Sequence, residues 1–373
     1  MELSKLIRKY ALQNAVSFSG KANPGAVIGK VLGEKPDLKE KIKDIAKEVQ
    51  AVVKEVNALP VKKQTEELKK LAPKLLEKKK VIPRKELPDL DGAKPGKVVM
   101  YEAGDTACEN IIMAASKISG TTVIECASGN YMVQEMCFFL QTLGVEITGI
   151  GTGTLTIKGM PNIDKNIEYS NSEDPIESMM FISVAIVTDS HLVIERCPID
   201  FLTLELYKLK KMGLKYKVLK KYFSYNGKTK LIDLEILPSI LKAPQDKIHA
   251  NPYPGINIDN LPFFIPIAVK AKGQTLIHDW FYENRAIYAT ELNRLGANIT
   301  LLDPHRLYIQ GGTPLTSAQI VCPPALRPSM VILISMLGAQ GTSILRNVYM
   351  ISRGYEEIAE RLNSLGADIK ILK

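Results

Sequence analysis

The chain has 373 residues, 46% hydrophobic and 24% charged, which suits a globular protein with core enough for two or more domains. Its 49 basic residues exceed its 40 acidic ones, but the excess is local: residues 1–92 hold 21 Lys and Arg against 13 Asp and Glu, and the remainder 28 against 27. The longest apolar run, Met179–Val187, falls far short of the roughly 20 residues that span a bilayer, the N-terminus has no continuous apolar signal segment, and five cysteines without a CxxC pair fit reduced thiols, so a cytoplasmic protein without membrane contact is expected.

Residues 1–82 read as a basic helical segment. Leu3–Ser17 carries apolar residues at helical spacing, Asn23-Pro24 forms a cap with proline at the first helical position, and Asp37–Ala58 is periodic through Ile42, Ile45, Val49, Val52, Val53 and Val56. Thr65–Lys80 is Lys/Glu-rich and broken by Pro73; the Pro/Gly-rich stretch at 83–96 reads as a linker. Two readings of the basic segment stay open: a solvated Lys/Glu surface, or an arm that contacts tRNA or a protein partner, drawn to phosphate by its charge. Tyr10–Lys41 (YALQNAVSFSGKANPGAVIGKVLGEKPDLKEK) resembles the N-terminal helical region of archaeal-type glutamyl-tRNA synthetases, and the likeness ends near Lys97–Met100. No HIGH or KMSKS signature follows, so aminoacylation is not implied.

From Lys97 onward one pattern recurs. Lys97–Tyr101 reads as a strand, and Gly104-Asp105-Thr106 opens a helix over Thr106–Ile118. Then comes Gly120–Val145: a glycine, a β-branched strand, an elbow, and an amphipathic helix ending in Leu-Gly. Asp189–Leu214, Gly273–Ala297 and Gly341–Ala367 repeat it, and in the four copies the opening residue precedes the closing glycine by 24, 24, 23 and 25 positions. Each copy follows another apolar helix: one is capped at Ser172-Glu173-Asp174-Pro175, and the last opens at Arg327. Gly149–Lys158 alternates as a hairpin, Lys220–Asp246 is less regular, and His249–Asp259 is a Pro/Gly loop. The unit is helix, strand, helix, strand(s), with strands joined through helices expected to pair in parallel. Apolar stripes such as Met132, Met136, Phe139, Leu140 and Leu143 face a core, and the Leu-Gly endings are helix C-caps. The expected division is one unit at 97–171 and three at 172–373.

ENR at Glu283–Arg285, ELNRLGA at 291–297, ALRPS around Arg327 and SRGYEEIAERLNSLGADI at 352–369 resemble, in that order and spacing, the enolpyruvyl transferases, and most closely their UDP-N-acetylglucosamine branch. The likeness covers about residues 94–373. It implies an α/β fold of inside-out barrel type: one complete three-repeat domain and one repeat of a second domain, after the all-α N-terminal segment. It implies transfer of enolpyruvyl from phosphoenolpyruvate to the 3-hydroxyl of UDP-N-acetylglucosamine, with no metal or organic cofactor. Asp259 in GINID matches the base, and Arg353 and Arg327 match arginines that hold phosphate and carboxylate. Phe281 and Arg285 match the wall beside the sugar, and Glu102, Ala103, Gly104 and Asp105 match a substrate-contacting loop. The chain departs from the family in having Ile-Asp-Asn-Leu around Asp259, Ala325 where an Asp is usual, and neither the Lys-Asn pair nor the Gly-Gly-Cys loop. Weak or absent turnover follows from those gaps. The alternative is a non-catalytic fusion whose basic arm binds tRNA or protein.

Overall fold

Four successive helix–strand units follow one another in the structure, a computed structural model that describes residues 92–372, and the first and third share one full strand pattern. The helical segment expected at 1–82, its partner contacts and most of the expected linker lie outside the described residues. In the first unit β1 (Lys97–Val99) leads through α1 (Asp105–Lys117) to β2 (Gly120–Glu125), then through α2 (Tyr131–Thr142) to the hairpin β3 (Glu146–Thr148) and β4 (Thr154–Gly159). The sheet order is β1-β2-β4-β3, with β1 and β2 parallel and β4 antiparallel to both neighbours. The second unit has α3 (Pro175–Val187), β5 (Leu192–Pro198), α4 (Thr203–Met212), β6 (Lys215–Phe223) and β7 (Lys230–Leu237), ordered β5-β7-β6.

The third unit repeats the first strand for strand. β8 (Ile248–His249) crosses through α5 (Phe264–Lys270) to β9 (Gly273–His278), and a 3₁₀ helix leads on to β10 (Asn298–Asp303) and β11 (Arg306–Gly311), ordered β8-β9-β11-β10. The fourth keeps only the parallel pair: β12 (Gln319–Val321), α6 (Leu326–Leu337) and β13 (Ile344–Arg346), followed by the short helices α7 (Tyr349–Ser352) and α8 (Ile358–Ser364). Strands crossing through the first helix of a unit therefore pair in parallel, as expected. Strands joined through the second do not: β4 and β11 insert between them and satisfy the backbone groups of both neighbours.

α3 has almost no polar face, as a helix enclosed on every side requires. It packs with α5 and α6 at the centre of residues 172–373, with the sheets outside, which makes an inside-out α/β barrel. Phe263 and Phe264 are wholly buried there, each contributing about 2–3 kcal/mol by leaving water. Ser183 within α3 donates its hydroxyl to the Phe263 carbonyl at 2.9 Å, so the one polar interruption of the apolar run is satisfied. Residues 97–171 enclose a separate, smaller core of Cys108, Ile112, Ile124, Val133, Cys137, Leu155 and Ile157.

The unit ends are fixed by local devices that recur. Gly144, Gly213, Gly296 and Gly366 all have left-handed φ, from 90° to 110°, and close the helices as the Leu-Gly endings predict. An amide side chain then clamps the next segment six residues on: Gln141 donates to the Ile147 carbonyl, and Asn293 and Asn363 bond both backbone groups of Ile299 and Ile369. Two second helices differ from the expected amphipathic α-helix. Arg285–Leu295 is a 3₁₀ helix, because Arg285 is tied back at its start and Ile287 and Thr290 are β-branched, with the Thr290 hydroxyl bonding Ile287 at the three-residue spacing. The fourth copy breaks between α7 and α8, where Glu357 has φ 43°, and the residues after Gly366 form no strand within the described range.

Gly159 and Gly311 end matching strands directly under an inner helix. A Cβ on Gly159 would lie 1.8 Å from the Ile118 carbonyl oxygen, whereas one on Gly366 would meet nothing within 4 Å. Gly159→Ala is therefore expected to lose about 3 kcal/mol, and Gly366→Ala only about 1–2 kcal/mol from its left-handed φ. Chemical denaturation of the two variants checks the ranking.

Candidate active site

The loop between β8 and α5 is held by a buried acid from the neighbouring unit. Glu205 of α4, 1% exposed, accepts from the Asn257 backbone N–H at 3.1 Å and the Asn260 side chain at 2.9 Å. Burial pushes the Glu205 pKa up, and these donors offset part of the rise. The Asn257 side chain in turn accepts from the Asp259 N–H at 2.8 Å, so the Asp259 carboxylate is aimed by a chain of fixed polar contacts. The adjoining 3₁₀ turn begins at Leu261, and Asp259 caps no helix.

Two guanidiniums flank that carboxylate. Arg285 Nη1 lies 3.4 Å from Asp259 Oδ1, and Arg327 Nη2 lies 3.3 Å from Oδ2. Arg285 is locked from behind by Asp279 through a paired contact, Nε to Oδ2 at 2.5 Å and Nη2 to Oδ1 at 2.9 Å, and it also donates to the Ile258 carbonyl at 2.7 Å. Arg327 sits in the first turn of α6, where the helix dipole disfavours a cation. Burial works against its charge as well, but Tyr355, Asp259 and Asp174 more than offset both, and its pKa is raised. Its Nη1 donates to the Tyr355 hydroxyl at 2.7 Å; burial pushes that phenol up to about 12 even though Arg327 pulls it down. Asp174, the N-cap of α3, completes the far side; burial raises its pKa against the pull of Ile176 N–H and Arg327.

The first unit reaches the same place. Asp105 is the first residue of α1, and Gly104 is the cap; its carboxylate accepts from Ser128 and Asn130 rather than from the helix. Asn130 then accepts from the Asn257 side chain at 3.0 Å, which joins the 97–171 unit to the loop carrying Asp259. Tyr131 lies with its hydroxyl against Asp174 and packs against the larger core. A cluster of alternating acids and arginines thus bridges the first unit and the three-unit barrel. Among the described residues no three or more His, Cys, Asp and Glu converge to hold a metal, and no helix is long and apolar enough to cross a membrane.

The family model for EPSP synthase (3-phosphoshikimate 1-carboxyvinyltransferase) matches residues 90–362. The chain belongs to this enolpyruvyl transferase family. It is 36% identical over 276 residues to the UDP-N-acetylglucosamine 1-carboxyvinyltransferase of Treponema denticola, covering 74% of this chain and 63% of that relative. Its likeness to the Porphyromonas gingivalis protein of the same name is 34%, with the same two shares. Among solved structures, the enolpyruvyl transferase NikO from Streptomyces tendae superposes with a TM-score of 0.64 at 25% identity, over 74% of this chain and 65% of that one. EPSP synthase from Acinetobacter baumannii, at 20% identity, shares the fold with a TM-score of 0.63 over 75% of this chain and 64% of that one. The chain spans about 63% of the length of the curated relatives it matches.

Against this family background, the structure brings Asp259, Arg285 and Arg327 into contact and links Asp105 to them. Arg353 is exposed at the C-terminal end of α7 and makes no ion pair with a described residue; it stands beside Gly354, which packs against Leu326, next to Arg327. Glu102 is exposed, and Ala103 and Gly104 are half-buried at the start of α1. Phe281 packs against the core and stacks on Trp280 with ring centres 4.2 Å apart; the ring over the Arg285 guanidinium is Tyr282, at 4.3 Å. Sequence reasoning missed Asp279, Tyr355, Asp174, Tyr131, Asn257 and Glu205 as parts of the site. Two carried a signal: Asp279 ends a strand six residues before Arg285, and Tyr355 stands in the RGYEE stretch.

Asp279→Asn leaves Arg285, whose side chain is 10% exposed, without its paired carboxylate. Unfolding in urea is expected to show a loss of about 3 kcal/mol. Glu205 holds its proton more tightly in the fold than its ordinary value of 4.5. The stability this adds is complete below that value and is lost as pH rises through the raised one. Melting temperature followed against pH should fall across that window in the native chain, relative to Glu205→Gln, which has no such proton to lose.

Proposed function

We propose that this chain carries the carboxylate and arginine side of an enolpyruvyl transferase acting on phosphoenolpyruvate and UDP-N-acetylglucosamine. The observation that carries the reading is Asp259 held between Arg285 and Arg327, within a family whose curated relatives bear the name of that reaction. The sugar 3-hydroxyl oxygen attacks C2 of phosphoenolpyruvate and gives its proton to Asp259. The methylene carbon gains a proton to become methyl. Loss of a methyl proton to water then restores the double bond as the C2–O bond breaks and inorganic phosphate departs with that electron pair.

Arg327 and Arg353 serve the phosphate and carboxylate, because guanidinium forks match both groups. An incoming anion competes with Asp259 for Arg327 and so releases Oδ2 to act on the hydroxyl. Arg285, fixed by Asp279, keeps the Asp259 side chain in place during that exchange. Phe281 and Arg285 form the wall beside the sugar, and the 102–105 loop contacts the substrate. The family's acid sits on a Gly-Gly-Cys loop that this sequence lacks, and Cys108, Cys126 and Cys137 lie in a different repeat; burial raises the thiol pKa of Cys108, and that of Cys137 to about 12, which disfavours their reactive thiolates. Turnover by this chain alone is accordingly weak or absent. Five free cysteines support a reducing, cytoplasmic setting.

Calorimetric titration with phosphoenolpyruvate in the presence of UDP-N-acetylglucosamine tests the assignment. Arg327→Gln and Arg353→Gln are each expected to weaken binding by about tenfold or more, the loss of a charge-assisted contact. Any phosphate release by the native chain should drop about a hundredfold or more in Asp259→Asn. An unaltered affinity in both arginine variants, or no binding by the native chain, would overturn the reading.

A further inference from the structure

A cavity of about 410 Å³ opens beside Tyr131. Its walls come from both parts of the molecule. α2 of the first unit contributes Tyr131, Met132, Glu135, Met136 and Phe139; the barrel contributes Phe201 and Thr229; and the connecting segment Asn171–Glu173 forms the floor. The volume lies in the range of sites for small organic ligands.

Its chemistry has a direction. Tyr131 and Phe201 meet edge to face with centres 6.0 Å apart, and Phe139 meets Tyr169 at 5.4 Å, so flat aromatic surface is fixed in place rather than free to collapse. Met132 and Met136 supply adaptable, polarisable contacts to a planar ring. The cavity's charged side chains are both acidic. Glu173 is already paired with Arg196. Among the described residues Glu135 is not paired with a cation: its Oε1 accepts from the Tyr169 hydroxyl at 2.9 Å, the Ser172 N–H at 3.0 Å and the Asn226 side chain at 2.9 Å. Those three neutral donors hold the side chain rigidly, while Oε2 accepts nothing from the described residues and is not enclosed.

We infer that this cavity is a binding site for a planar aromatic cation, an aryl amidine, with its ring between the aromatic and methionine walls and its charge on Glu135 Oε2. Faces of tyrosine and phenylalanine favour a cation over an anion in the same sense as the carboxylate does. The ligand would touch α2 and the barrel together, so its binding ties the first unit to the remaining three. None of Asp259, Arg285, Arg327 and Arg353 lines the cavity, so binding there does not require turnover.

Benzamidine and benzoate, nearly the same shape with opposite charge, are the probes. Calorimetric titration of the full chain is expected to show benzamidine binding about tenfold or more tightly than benzoate, with a melting temperature that rises with benzamidine concentration. Glu135→Gln should bring the two probes close to equal affinity, and Met136→Trp, which fills the cavity, should remove both. Benzoate binding as well as benzamidine to the native chain, or no benzamidine binding up to about 10 mM, overturns the inference without recourse to any variant. Unchanged benzamidine affinity in a folded Met136→Trp variant overturns it as well.

Discussion

The half-buried Asp259 carboxylate, shared by two arginines that are each anchored elsewhere, is the constraint on which the rest of the barrel turns. Arg285 cannot leave because Asp279, 5% exposed, and the Ile258 carbonyl hold its other nitrogens. Arg327 is less secure: it stands at the unfavourable end of a helix dipole and is retained by a phenol and longer-range acids. The two sides of Asp259 are therefore unequal. One arginine is fixed by a paired carboxylate, and the other has no such pair behind it among the described residues.

That arrangement explains why so many elements end at the same place. α3 and α6 begin there, the β8–α5 loop crosses it, and the Tyr355 segment folds back over it. The start of α1 and the loop before α2 come in from the first unit through Asn130 and Asn257. Helix starts leave backbone N–H groups without internal partners, so several starts gathered in one region produce a field suited to anions before any side chain is counted.

Much of this was legible in the residues. The spacing from opening residue to closing glycine marked every unit, and the left-handed φ at Gly144, Gly213, Gly296 and Gly366 is the physical reason those glycines stand there. The likeness to enolpyruvyl transferases picked out Asp259, Arg285 and Arg327, which the structure brings into contact. Two kinds of information were not legible. The 3₁₀ form of Arg285–Leu295 depends on Asp279 and Ile258 holding its first residue, a tertiary contact that overrides local periodicity. Glu205 looks like any helix-surface acid in the sequence; only the fold shows that it is enclosed and that its two partners come from a loop some fifty residues on.

The shared order of the β1–β4 and β8–β11 sheets has a kinetic consequence. Every strand in each sheet finds its neighbours within its own unit, so no sheet waits for a distant part of the chain to arrive, and loop-closure entropy stays modest. The inner helices are the opposite case, since α3, α5 and α6 come from three different units and can bury their sides only against one another. Assembly should thus proceed as local sheets first and a cooperative closing of the helical centre last, with the arginine at the head of α6 among the final groups to find its carboxylate.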